Sequence, residues 1–295
     1  MSLPNSNLKL SDALNHFQQF QSRKMSDIAG KNTVSGSIPS GSHKMSDYFG
    51  ETYMEKVVVD QISGAQNALL SDFGSLPTDR PFFAEYYISS IISSNSTNTA
   101  ALTLDDMNLH PDTVVNVYIQ GEVRGRGGDG GSAVNTSSTQ SANNGGDGGD
   151  AILVESTSYR VNLFNIGTIA GGGGGGGGAY ATSEYNCDKS GCSIQRQSAG
   201  GGGGAGEFSG SGGSGGTSNG SSGSTTSGGN GGLALGTYAS AAGGSGGDRG
   251  RRGDNGSADG NSQEGTGNRG SPGFAIRGTG NLNDLSGNDV YGPTS

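Results

Sequence analysis

Followed residue by residue, the apolar positions divide the chain into two unlike parts. In DTVVNVYIQG, residues 112–121, Val115, Val117 and Ile119 alternate with other residues and predict a strand with one buried face. PFFAEYYISSII, residues 81–92, is the most aromatic stretch, and Phe82, Phe83, Tyr86, Tyr87, Ile91 and Ile92 predict core. Residues 51–75 mix Val57, Val58 and Val59 with polar positions and predict an element whose type, strand or helix, the pattern leaves open. Residues 151–154 and 159–169 predict strands with Val161, Leu163 and Ile169 inward. Near the start, Leu14, Phe17 and Phe20 stand at helical spacing. Lys-apolar-Ser-Asp recurs at 9–12, 24–27 and 44–47, where Ser or Asp can cap a short helix. Units this short bury little alone, which predicts a docking segment that completes its core against a partner through Phe17, Phe20, Met45, Tyr48 and Phe49.

Past residue 120 the apolar stretches shrink to islands among glycine. GGxGG occurs at 127–131, 145–149, 212–216, 228–232 and 243–247, and eight glycines run unbroken at 171–178. Such a segment can be a flexible coil, because glycine loses the most backbone entropy on ordering. It can also form extended left-handed threefold helices packed backbone to backbone, which only glycine permits. The second fate is expected here. Gly125, Gly128 and Gly131 share one period-three register, Gly127 and Gly130 the next, and Gly250, Gly253 and Gly256 repeat at three. Flexible linkers need no such phase. The apolar islands at 151–154, 161–169, 233–235 and 273–276 give the domain something to bury, and the glycine blocks suit a chain crossing one bundle back and forth. Between them, 132–144 and 179–199 are expected as loops. The loops display Tyr180, Tyr185, Phe208 and Tyr238, and the longest also carries Arg196; with no core nearby to claim them, these five are the candidate binding residues.

Composition narrows the function classes. The hydrophobic fraction is 29%, below the usual globular range, so a conventional oily core cannot fill the second half. A formal charge of −9 without a basic patch argues against nucleic acid. No apolar run reaches the length of a membrane span, and residues 1–10 lack an apolar signal region, so synthesis in the cytoplasm without Sec export is expected. Cys187 and Cys192 could staple a turn or remain free thiols. All three histidines precede Pro111, away from the glycine blocks, and no nucleophile–base arrangement or metal-ligand set is evident; no enzyme, metal or cofactor is expected. Residues 145–152 fit one calcium-type nonapeptide, but that architecture needs tandem copies. Asp147 and Asp150 fit a turn into a strand better.

GEVRGRGGDGG at 121–131, DAILVES at 150–156 and GTIAGGGGGGGGAY at 167–180, in that order, closely resemble the glycine-rich adhesins of phage tail fibres, best known at the long-fibre tip of T-even-type phages. The resemblance implies a polyglycine-II helix sandwich whose loops contact a receptor on the bacterial surface, an outer-membrane protein or lipopolysaccharide. It also implies a virion component at the tail fibre or tail tip, attached to a fibre or tip protein. The expected organisation is mixed: a small α/β attachment region at 1–108, comprising the Ser-Asp repeats at 1–50 and a mixed part at 51–108, then a glycine-rich receptor-binding domain with short strands at 109–295. A rigid structural spacer and an ice-binding protein are the alternative readings.

Overall fold

The computed structural model describes residues 55–62 and 64–295, apart from 189 and 288, together with two short paired strands, Asn32–Thr33 and Gly36–Ser37. The helical spacing at 12–20 and the docking candidates Phe17, Phe20, Met45, Tyr48 and Phe49 lie outside the described residues. Among those described there is no α-helix, and hence none long and apolar enough to cross a membrane. The helical component expected for 51–108 is replaced by strands and one 3-10 turn, Leu70–Phe73.

The apolar half of the sequence winds into a parallel coil with three strands per turn. The first turn is Ala68–Leu69, Phe82–Ile88 and Ile91–Ser93; the second is Leu102–Leu104, Val114–Ile119 and Glu122–Arg124. The third is Ile152–Val154, Arg160–Asn165 and Thr168–Ala170; the last is Ile276–Arg277, Asp284–Gly287 and Val290–Tyr291. Equivalent strands of successive turns pair in parallel and make three sheets, with Glu55–Ile62 extending the second. Identical spacing in each turn stacks like on like. Ala68, Leu102, Ile152 and Ile276 form one inward row, and Ile92, Val123 and Ile169 another, which ends in register with the exposed Val290. Val115, Val117 and Ile119 are fully buried, as their alternation predicts, and join Phe82, Tyr86, Val161 and Leu163 in one core between the sheets. Outside the second sheet, Tyr87, Tyr118 and Phe164 stack at 4.9 and 5.0 Å, while Asn162 donates to Asn116 at 2.7 Å and Asn283 to Asn162 at 3.0 Å.

The division expected at residue 108 therefore falls inside the second turn of the coil, whose last turn comes from residues 276–291. The glycine-rich sequence is inserted at one corner, 125–151 between the second and third turns and 171–275 between the third and last. It crosses back and forth in ten short passes, at 125–132, 143–150, 171–178, 200–205, 210–216, 220–224, 228–232, 243–248, 251–256 and 267–274. Beyond the six glycine blocks, the passes include the glycine run at 200–205 and three more recruited from polar sequence, at 220–224 (GSSGS), 251–256 and 267–274.

Backbone bonds hold these passes together. Gly172, Gly175 and Gly178 donate to the carbonyls of Gly149, Gly146 and Asn143; Gly173 and Gly176 to Ala205 and Gly202; Gly174 and Gly177 to Arg251 and Asp254. The carbonyls of the same run accept from Gly128 and Gly131, from Gly244 and Gly247, and from Gly267, Gly270 and Gly273, at 2.7 to 2.9 Å. Pass 171–178 is thus ringed by six others, with partners that repeat every third residue. Pass 200–205 is ringed likewise. The glycine pattern follows from this placement. Where every register faces a neighbour, the run is all glycine but for Ala205. At the rim one register faces outward and takes any residue, giving GGxGG. A Cβ on Gly174 would enter the carbonyl of Gly270, and one on Gly125 that of Gly149. Outward Asp and Asn side chains close the remaining donors: Asn144, Asp147 and Asp150 accept from the backbone of Asn268, Ser271 and Phe274 at 2.7–2.8 Å. The two carboxylates of the calcium-type motif are therefore engaged by backbone N–H groups.

An ion network ties coil to passes. The Arg124 side chain, buried, contacts Glu122 and Glu207, and Arg249 lies 3.6 Å from Glu122. Burial, and then the neighbouring Arg124, lower the pKa of Arg249.

Candidate functional site

Passes that leave the coil end in a tier of β-hairpins. The segments expected as loops at 132–144 and 179–199 are hairpins, Ala133–Asn135 with Gln140–Ala142 and Ala179–Asp188 with Gly191–Ala199. A third, Leu233–Leu235 with Ser240–Ala242, pairs with Ser257–Asp259, and Gln263–Thr266 pairs with the long hairpin. Their meeting faces are lined with the smallest apolar side chain: Ala179, Ala181, Ala199, Ala234, Ala239 and Ala241 are buried together. Asn135 clamps two hairpins by donating to the carbonyls of Ala181 and Gln197 at 2.7 and 3.0 Å. Gln195 accepts from the backbone of Tyr238 and Ala239 at 2.7 and 2.9 Å. The tier is therefore built on small residues and hydrogen bonds, leaving the larger side chains outside.

Four of the five receptor-contact candidates lie in this tier, on two faces of the long hairpin. Tyr185 and Tyr238 stack at 4.2 Å with ring planes 16° apart. Tyr238 is half exposed at its hairpin turn, whereas Tyr185 sits within a strand. Tyr180 lies against Gly265 of the neighbouring strand, where any Cβ would strike its ring. Arg196 projects beside Thr182, its register partner, and its Nε is buried without a hydrogen-bond partner. Phe208 does not join them. It belongs to the turn after pass 200–205, at the end next to the coil, where its carbonyl accepts from Gly127 at 2.9 Å.

Sequence reasoning missed several residues of this surface. Leu233 and Leu235, expected among the buried islands, are 59% and 70% exposed; only Ala234 between them is buried. Ile194 and Val134 are exposed at the same end. The signal was the alternation Leu-Ala-Leu, which in a tier packed through alanine turns the larger residue outward. Cys187 and Cys192 form a disulfide near the tip of the long hairpin, which settles the two states the sequence left open. Glu184 lies close by, but both sulfurs are committed to that bond. Asp188 completes the turn: the hydroxyl and N–H of Ser190 donate to its carboxylate at 2.5 and 2.7 Å and hold its pKa below the usual range.

This end presents a rigid, mostly uncharged surface of aromatic and aliphatic side chains. Such residues provide large contact area at low entropic cost. No curated protein matches the chain. Among solved structures, it is similar to the gp37-gp38 adhesin tip complex of the bacteriophage S16 long tail fibre, with 19% identity, a TM-score of 0.45, and coverage of 99% of this chain and 100% of that one. Residues 72–295, a span containing nearly all of the coil and every glycine pass, match the family described as phage tail fibre adhesin Gp38, and the chain belongs to that family.

Proposed function

We propose that this chain is the receptor-recognising tip of a phage tail fibre and mediates adsorption to the host. In this reading the N-terminal region, to about residue 108, holds a fibre or tail-tip protein. The passes form a polyglycine-II sandwich, and the distal hairpins touch a receptor on the bacterial outer surface, an outer-membrane protein or lipopolysaccharide. The sandwich is supported by hydrogen bonds whose partners rotate with a period of three, as three-residue turns without internal bonds require. The adhesin family supports the place on the virion. Recognition requires no catalytic step and no cofactor.

The observation that carries the reading is the position of the stacked Tyr185–Tyr238 pair with exposed Leu233 and Leu235, at the end of the passes remote from the coil. Fixing both ends of each hairpin in the stack lowers the ordering cost on binding. Replacing Tyr185 and Tyr238 together with Ala is expected to slow adsorption to host cells at least about tenfold, as loss of an aromatic hot spot does. The melting temperature should stay within a few degrees. Adsorption at the wild-type rate by the folded double variant would contradict the assignment.

A further inference from the structure

A second feature of the distal end lies on the opposite face of the long hairpin. Glu184 pairs with Ile194 and Thr182 with Arg196, so these four side chains share one face, while Tyr185, one residue on, points to the other. That face, the turn of the first hairpin and the approach to the strand Gln263–Thr266 enclose a cleft of about 290 Å³, near the lower end of small-ligand pockets. Its walls are fixed. Asn261 accepts from the Glu184 N–H at 2.8 Å and donates to the Glu184 carbonyl at 2.9 Å. Asn135 and the Thr182 hydroxyl bond one another, locking the first hairpin to the long one.

We propose that this cleft is a saccharide subsite that takes one uncharged pyranose unit of the bacterial surface; the inference rests on the distal end being the receptor face. The lining offers donors and acceptors in close alternation. Arg196 donates only, Glu184 accepts only, and the Ser138, Thr139 and Gln263 side chains do both. A ring of hydroxyl groups, each both donor and acceptor, uses such a set fully. Ile194 supplies an apolar patch for the C–H face of the ring. The charges select against other ligands: Glu184 repels a phosphate or carboxylate that Arg196 alone would attract, and Arg196 repels a cation. The Arg196 guanidinium lines the cleft, where its accessible N–H groups can donate to a sugar oxygen.

The test uses the full chain and saturation-transfer NMR with the methyl glycosides of glucose, galactose, mannose and N-acetylglucosamine. At least one is expected to bind, with Arg196→Gln and Glu184→Gln each weakening it tenfold or more. Glu184 is exposed, so its variant answers the question even if the arginine variant folds poorly. Binding of none of the four, unchanged binding by E184Q, or binding of inorganic phosphate in their place would overturn the proposal. Adsorption to cells with truncated lipopolysaccharide and to cells without capsule separates the two sources of the sugar; the E184Q defect should vanish on one of them, and its persistence on both would overturn the proposal. If E184Q adsorbs like wild type while the Tyr185/Tyr238 double variant does not, the subsite is wrong and the receptor face stands. If neither variant loses adsorption, the receptor face itself falls.

Discussion

The coil and the glycine passes are continuous in one chain and make their interiors in opposite ways. In the coil, side chains fill the space between three sheets, and rows such as Tyr86, Val117 and Leu163 bury apolar area in register. In the passes nothing apolar is needed, because along 172–178 every backbone N–H and C=O meets a partner in a neighbouring pass and the absence of Cβ atoms permits the approach. The coil tolerates changes of side-chain volume in proportion to the cavity or overlap made. The passes take varied residues in the outward register and, Ala205 apart, only hydrogen in the inward ones. A body of the second kind needs few large side chains for itself, so those in its hairpins are free to face outward.

The sharpest way to break this contrast is a side chain placed inside the lattice. Gly174→Val should cost more than about 4 kcal/mol, enough to abolish the protease-resistant fold, because its Cβ enters the backbone of pass 267–274. Gly280→Val, at a position with nothing within 4 Å of an added Cβ, should melt like wild type. A folded Gly174→Val protein would contradict the packing described.

Alkaline pH should separate the two regions more gently. Burial, reinforced by Asp105, pushes the phenols of Tyr86 and Tyr159 above their ordinary range, and both belong to the coil. Their neutral forms are favoured in the folded state, so the stability they lend is complete below the unfolded pKa of about 10 and is lost as pH rises past it. Each contributes a loss of up to about 1.4 kcal/mol per pH unit above that point. Thermal melts at pH 8 and pH 11 should show a lower coil transition at the higher pH; an unchanged one would remove the buried phenols from the account. The smallest effect is expected from Asp147→Ala, which leaves the Ser271 N–H without its acceptor and should cost about 1 kcal/mol, read as a lower denaturant midpoint.

The coil's strands were legible because alternation reports a one-sided burial, as at Val115, Val117 and Ile119. The coil itself was not, since its turns are separated by insertions and its last strands lie more than a hundred residues beyond the third turn. Nothing local links Ile152 to its register partner Ile276. The period-three glycine registers did report the lattice: Gly125, Gly128 and Gly131 donate to one pass, through Ala170, Gly173 and Gly176, while Gly127 and Gly130 donate to another, through Phe208 and Ser211. The hairpin at 179–199 reads as a loop because polar residues such as Ser183 and Gln197 are buried and hide the usual alternation. Phe208 and Tyr238 look alike as lone aromatics between glycine blocks, and only the parity of the passes places them at opposite ends.

Amide hydrogen exchange across residues 172–178 tests the central claim most directly, that a run of glycine is locked from six sides by its own backbone. These seven amides should exchange only on global unfolding of the passes, and more slowly than the exposed turn at 136–139. Exchange of the run at the rate of a free glycine peptide would show a tether where the account requires a lattice.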